Sequence, residues 1–331
     1  MVRPLAALIM GALAASGCAH AGRVSPAFAS ERSPRCARET MDRLSPYRMP
    51  LAGAVMNSDE AAYLADFPAG ARRAARAAGL EPLLVTLLRE HDAAGPRPSP
   101  RLMALELELS VRMTAFVTQV AAVAFEVKCT ADEVRDVLVD LEEREHRGQF
   151  RLAIGSLLAG AVTASAAAAL TIAREDDTRT PAIISLGGGV VTAALGVLSL
   201  ERENPRVELA HDPNLLRPVF DGHDEDHLFP SFVFRMLMDP DDGPLGSPRA
   251  RLLEAWKADL DEVHMERAAA ERLLYGTGGV YTARLVEART KQLERLQETL
   301  RSIARDLELL NRYLVRSLYG PAVDFPAPPP P

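Results

Sequence analysis

A chain of 331 residues has room for one or two domains. Hydrophobic residues at 48% and charged residues at 25% are those of a folded protein, and the low aromatic content of 5%, beside abundant alanine and leucine, favours helices over strands. The formal net charge of −7 argues against nucleic acid, or an anionic membrane surface, as the main partner.

Residues 1–17 carry one positive charge at Arg3, an apolar run from Leu5 to Leu13, and the small residues Ala14 to Gly17. That order describes an export signal, and the run is too short for a permanent membrane span. The ending Ala15-Ser16-Gly17-Cys18 resembles the lipobox of bacterial lipoproteins, with Ala15 where leucine is most usual. The resemblance covers about the first twenty residues. It implies cleavage before Cys18, diacylation of its sulfur and often acylation of its new amino group, so a covalent lipid is the one cofactor expected. An ordinary signal peptide that happens to contain Cys18 is the other reading. Two or three acyl chains anchor stably, whereas one is marginal. Ala19 follows the cysteine where an aspartate would suggest retention at the inner membrane, which favours the outer membrane. If Cys18 is lipidated, Cys36 and Cys129 remain as an even pair in an oxidising compartment. A Cys36–Cys129 disulfide and two unpaired thiols are the alternatives.

Residues 18–45, rich in Ala, Ser, Pro and Arg, form a tether between lipid and body. A helical region follows over 46–150. Its first part, 59–92, reads as short helices broken at Pro68, Gly79 and Pro82, and Gly95 to Pro100 is a clear break. From Met113 a heptad seam runs through Val117, Val120, Ala124, Val127, Ala131, Val134, Leu138 and Leu141. Phe116, Val123 and Val137 widen the stripe, which suits a bundle of several helices better than an isolated two-stranded coil. Thr130 and Glu133 match a capping box, but the seam passes through them unbroken and predicts one continuous helix.

Residues 151–200 form the central apolar pair. Leu152–Ala173 and Ala182–Leu200 hold no charge, and a short charged linker, 174–181, joins them. Each is about the length that crosses a bilayer core as a helix, and paired helices satisfy their backbone groups in lipid. Ser156, Gly160, Ala164 and Ala168 recur every fourth residue, as do Gly188, Thr192 and Gly196, a spacing that lets two helices approach closely. Three readings stay open: a constitutive transmembrane hairpin, a hairpin that inserts only when triggered, and two apolar helices at the centre of a bundle. A hairpin spanning the inner membrane conflicts with an outer-membrane lipid, so the span and the sorting rule point to different membranes. The arrangement of helical arms around an apolar hairpin resembles α-helical pore-forming toxins of the haemolysin E and tripartite enterotoxin type. This is a resemblance of layout without a shared motif, and a lipid anchor argues against a diffusible toxin.

Residues 201–248 break the helical pattern with seven prolines and concentrate histidines and acids. His211, His223 and His227 are the candidate metal ligands, although their spacing matches no known ligand pattern. Acids in such a loop more often serve turn chemistry. Phe220, Leu228, Phe229, Phe232 and Phe234 are expected to pin the loop to the bundle. Beyond it, 249–319 reads as a helical hairpin. Leu253, Trp256, Leu260, Val263, Ala270 and Leu274 mark the first arm, interrupted by Arg267, with His264 on its surface. Gly276–Gly279 is the turn; no preceding strand or completing Gly-Lys-Ser/Thr supports a phosphate loop there. Leu293, Leu296, Leu300, Ile303, Leu307, Leu310 and Leu314 form the second arm at 3-4 spacing. Ser317 ends the strict register, Leu318 extends the apolar face, and 320–331 is a Pro-rich disordered tail.

The expected fold is all-α, a multi-helix bundle with long coiled-coil-like helices and a central apolar hairpin. The expected function is non-enzymatic: a lipid-anchored envelope protein that acts as an interaction or assembly scaffold. Its partners are the lipid bilayer and either further copies or partner helices, with no nucleic acid and no small-molecule substrate. A pore-forming protein with conditional insertion is the first alternative, and a metal or enzymatic site in 201–248 the second.

Overall fold

The computed structural model describes residues 62–94, 99–173, 205–240 and 246–320, with backbone alone at 148–149 and 151–173. Among them are eight helices: α1 Ala69–Ala77, α2 Glu81–Ala93, α3 Pro100–Ala173, α4 Arg217–Asp221, α5 Ser231–Met238, α6 Pro248–Asp261, α7 Arg267–Tyr275 and α8 Ala283–Tyr319. Two short strands, β1 Arg206–Ala210 and β2 Gly278–Thr282, pair in one sheet. The protein is therefore mostly α rather than all-α. The described residues divide into a larger unit (62–136, 210–278 and 284–320) and a smaller one (137–173, 205–209 and 279–283).

In the larger unit the predicted breaks are helix boundaries with distinct jobs. Pro68 stands at the N-cap of α1. Gly79, at φ 63°, lets the chain turn so that Leu80 N donates to Ala75 O at 2.8 Å and Gly79 N to Arg76 O at 3.0 Å. This is the paired-bond ending that glycine permits after a helix. Pro82 breaks nothing; it occupies the first turn of α2, where no intrahelical N–H is needed. Ser99 Oγ accepts from Leu102 N at 3.0 Å and caps α3.

Helix α3 is continuous through Thr130, as its unbroken seam predicts; Thr130 Oγ1 donates back to Glu126 O at 3.0 Å. The buried line of α3 differs from the expected seam. Met113, Val120, Val127, Ala131 and Val134 are buried, but the intervening positions are Phe116 and Val123; Val117 is 49% exposed. The larger Phe116 ring takes the core position because Phe232 of α5 packs on it at 4.6 Å. In α8 all seven seam positions from Leu293 to Leu314 are buried, as is Leu318, and Ser317 is exposed. Arg135 bonds Glu294, and the Tyr319 hydroxyl donates to Glu106 at 3.1 Å. The first half of α3 and α8 therefore run antiparallel. Arg295 holds Asp259 of α6 through two bonds of 3.0 Å, and Arg73 of α1 bonds Asp306.

The C-terminal arm is not a two-helix hairpin. Helix α6 ends at Asp261, and Glu266 caps a new helix by accepting from Ala268 N and Ala269 N. Arg267, which interrupts the apolar spacing, is the first residue of α7. His264 lies between the two helices at φ 52°, not on the helix that carries Trp256. Gly276–Gly279 does not simply reverse the chain: Gly278, at φ 101°, opens β2. Residues 205–240 likewise hold a strand and two helices, where an irregular loop was expected.

In the smaller unit α3 continues without a break from charged turns, tied by Arg147–Glu143 at 3.1 Å, into the uncharged stretch 152–173. Ser156, Gly160, Ala164 and Ala168 lie on that helix. Leu141, Val207 and Tyr281 are buried. Gly188, Thr192 and Gly196, the two N-terminal cysteines and the Pro-rich tail lie outside the described residues.

Candidate functional site

Residues 210–240 dock on α6, α7 and α8 through a ring stack around a polar lock. Phe220 stacks on Tyr275 at 3.9 Å, and Trp256 lies against the same ring at 5.8 Å. The Tyr275 hydroxyl accepts from Gln292 Nε2 at 3.0 Å, and burial pushes its proton affinity well above the usual phenol range. Arg249 donates from α6 to Val219 O and Phe220 O, both at 2.7 Å, satisfying the carbonyl end of α4. Asn214 donates to Leu274 O and Gly276 O at 2.8 Å each, while its Oδ1 accepts from Leu216 N at 3.1 Å. Arg289 of α8, 1% exposed, donates to Leu274 O at 2.8 Å. The expected aromatic pinning is thus seen at Phe220 and Phe232, and Leu228 and Phe229 are buried.

The candidate metal ligands occupy three different settings. His211 is half-buried beside Arg289; desolvation, and then that cation, pushes its pKa down to about 3. A neutral ring next to a guanidinium is a poor place for a divalent cation. His223 is exposed, 3.6 Å from Glu225, and His227 sits exposed in a left-handed turn. Asp224 spends its carboxylate on Leu228 N and Phe229 N, both at 2.8 Å, which is the turn chemistry expected of the acids here. Among the described residues no three His, Cys, Asp or Glu side chains converge as a metal site.

Two surface features stand out in the larger unit. A groove of about 620 Å³ runs between α3 and α8, floored by Leu109, Met113, Leu307 and Leu314 and rimmed by Glu106, Thr114, Thr118 and Tyr319. Beside it α3 exposes Met103, Leu107, Val111 and Phe125. Sequence reasoning followed the buried seam and missed this second face, although the four-residue steps 103, 107 and 111 signal it. Cys129 is disulfide-bonded; its partner, Cys18 or Cys36, lies outside the described residues. One described helix, over 100–147, contains a stretch long and apolar enough to cross a membrane.

No protein-family model matches the chain, and no curated protein or solved structure shows significant similarity to it.

Proposed function

We propose that this is a non-enzymatic scaffold of the bacterial cell envelope, anchored by lipid on Cys18 and touching the bilayer through residues 152–200. The observation that carries this reading is the unbroken passage of α3 from a charged helical arm into the uncharged stretch 152–173. At 1.5 Å per residue that stretch rises roughly 33 Å, close to the thickness of a bilayer's hydrocarbon core. An uncharged helical stretch of that length is suited to contact with a bilayer. The larger unit offers an open groove between α3 and α8 and an exposed apolar line on α3 at Met103, Leu107 and Val111, surfaces that helices rather than small molecules recognise. Self-association or capture of partner helices by coiled-coil-like contacts is the activity assigned.

The test is alkaline carbonate extraction of the Cys18→Ala variant, exported by a leader without a lipobox. Retention in the membrane pellet, with the protein still folded, is expected because 152–200 anchors by itself. Release into the supernatant overturns the bilayer contact and leaves lipid as the sole anchor.

A further inference from the structure

The larger unit holds a cleft of about 310 Å³ lined by arginines from three helices: Arg73 of α1, Arg251 of α6, and Arg295 and Arg305 of α8. Among the described residues Glu298 is the one carboxylate on its lining. That grouping runs against the chain as a whole, whose net charge is −7. Cations gathered in a concave place repel one another and draw anions from solution. The volume lies at the lower end of the range for small-molecule sites, about 300–1,000 Å³.

Carboxylates around the cleft hold the guanidinium forks and offset part of their charge. Asp306 binds Arg73, and Asp259 takes Nε and Nη2 of Arg295 at 3.0 Å each. Glu298 is shared, accepting from Arg305 at 2.9 Å and from Arg301 at 3.4 Å. With Arg251 left out of account, four guanidiniums therefore meet three carboxylates. The pairing also fixes direction: Asp259 occupies one edge of the planar Arg295 fork, so Nη1 stands on the opposite edge. The side chain of Arg73 is 9% exposed, that of Arg295 46% and that of Arg305 60%, so the donors grade from the inside of the cleft to its mouth. On α8, Arg295, Glu298, Ser302 and Arg305 follow at steps of three and four residues and share a face. The half-buried Ser302 adds a neutral hydroxyl, and Leu252, Ala255 and Ile303 supply an apolar wall.

We infer that this cleft binds the phosphate group of a phosphate monoester. A carboxylate is planar and is satisfied by one or two fork edges, whereas guanidiniums arriving from three helices suit the oxygens of a tetrahedral, doubly charged anion. The apolar wall and the spare volume suit the organic part of an ester. The shared chemistry is the phosphate monoester, whether it is carried by a small soluble molecule or by a lipid headgroup. The site goes beyond the scaffold reading and does not rest on it, since binding is measured in solution without a bilayer.

The test is isothermal titration of the full chain with glycerol 3-phosphate, with acetate at the same ionic strength as control. The expected result is a Kd at or below about 1 mM for the phosphate ester, weakened about tenfold or more by Ser302→Asp, which sets a carboxylate on the lining. Emission of the buried Trp256 checks that the variant is folded. If Ser302→Asp disturbs α8, Arg305→Gln at the exposed mouth carries the same comparison. A second titration with dioctanoyl phosphatidic acid separates the sources. Tighter binding than glycerol 3-phosphate, lost in the variant, supports the site as one for a lipid headgroup; equal binding supports it as one for a soluble ester. Absence of binding by both probes at about 10 mM overturns the site and leaves the arginines as a surface ion-pair network. Binding that neither variant weakens, or acetate binding as tight as that of the phosphate ester, overturns it as well.

Discussion

Replacing Asp306 by alanine removes the carboxylate that holds Arg73 of α1 against α8. The two side chains are 12% and 9% exposed, so the pair is about nine-tenths buried. Removing one partner of a buried pair costs about 3–5 kcal/mol, because the remaining charge keeps its desolvation penalty without its compensation. Arg73 also lines an open cleft of about 310 Å³, toward which the guanidinium can shift once the carboxylate is gone, so the lower end, about 3 kcal/mol, is expected. For a domain of this size that corresponds to a fall in Tm of roughly 6–12 °C. Urea unfolding followed by Trp256 emission measures it well, since the single tryptophan is 1% exposed. The pair Arg73→Met/Asp306→Leu should recover most of the loss, because two apolar groups carry no desolvation penalty. A cost below about 1 kcal/mol for Asp306→Ala, or a double variant as weak as the single, would refute the argument.

Two further outcomes follow from neighbouring geometry. Gly70→Ala, inside α1, would ordinarily gain up to about 1 kcal/mol of helix propensity. Here the added methyl is aimed at the Asp306 carboxylate, so a loss of about 1–3 kcal/mol is expected, reversing to a gain in an Asp306→Ala background. The urea midpoints of the four chains decide the sign. His211 is neutral in the folded state down to about 3, whereas in the unfolded chain it takes a proton near 6.5. Its contribution to stability is therefore complete above 6.5 and is lost progressively as pH falls toward 3. His211→Gln should flatten the pH dependence of urea stability across that window by about one proton, and an unchanged slope would remove the assignment.

The helices were legible because their signals are local. The leucine spacing of α8 places every one of its seven seam positions in the core, since a seam nearly all leucine leaves no choice of face. The α3 pattern left a choice: Val117 and Phe116 both fit an apolar stripe, and only the ring of Phe232, more than a hundred residues away, selects Phe116. The strands were invisible because Gly276–Gly279 reads as a turn, and β2, which starts inside it at Gly278, shows only when β1 supplies its partner. Arg267 looked like a flaw in a long helix; Glu266, which caps α7 through its own side chain, makes it a beginning. At the candidate site, residue types alone suggested metal ligands. The distant Arg289 beside His211, and the turn amides that occupy Asp224, assign those groups to structure.

By itself the sequence determined the helical character, the seam of α8, the continuity of α3 through Thr130 and the uncharged stretch 152–173, because propensity and periodicity act within a few turns; that α3 runs on into that stretch came from the structure. Only the tertiary structure decided which face of α3 is buried, how 210–240 is locked to α7 and α8, and which apolar residues of α3 are left exposed. Those outcomes depend on contacts between residues far apart in the chain, where shape and desolvation, rather than spacing, select the partner.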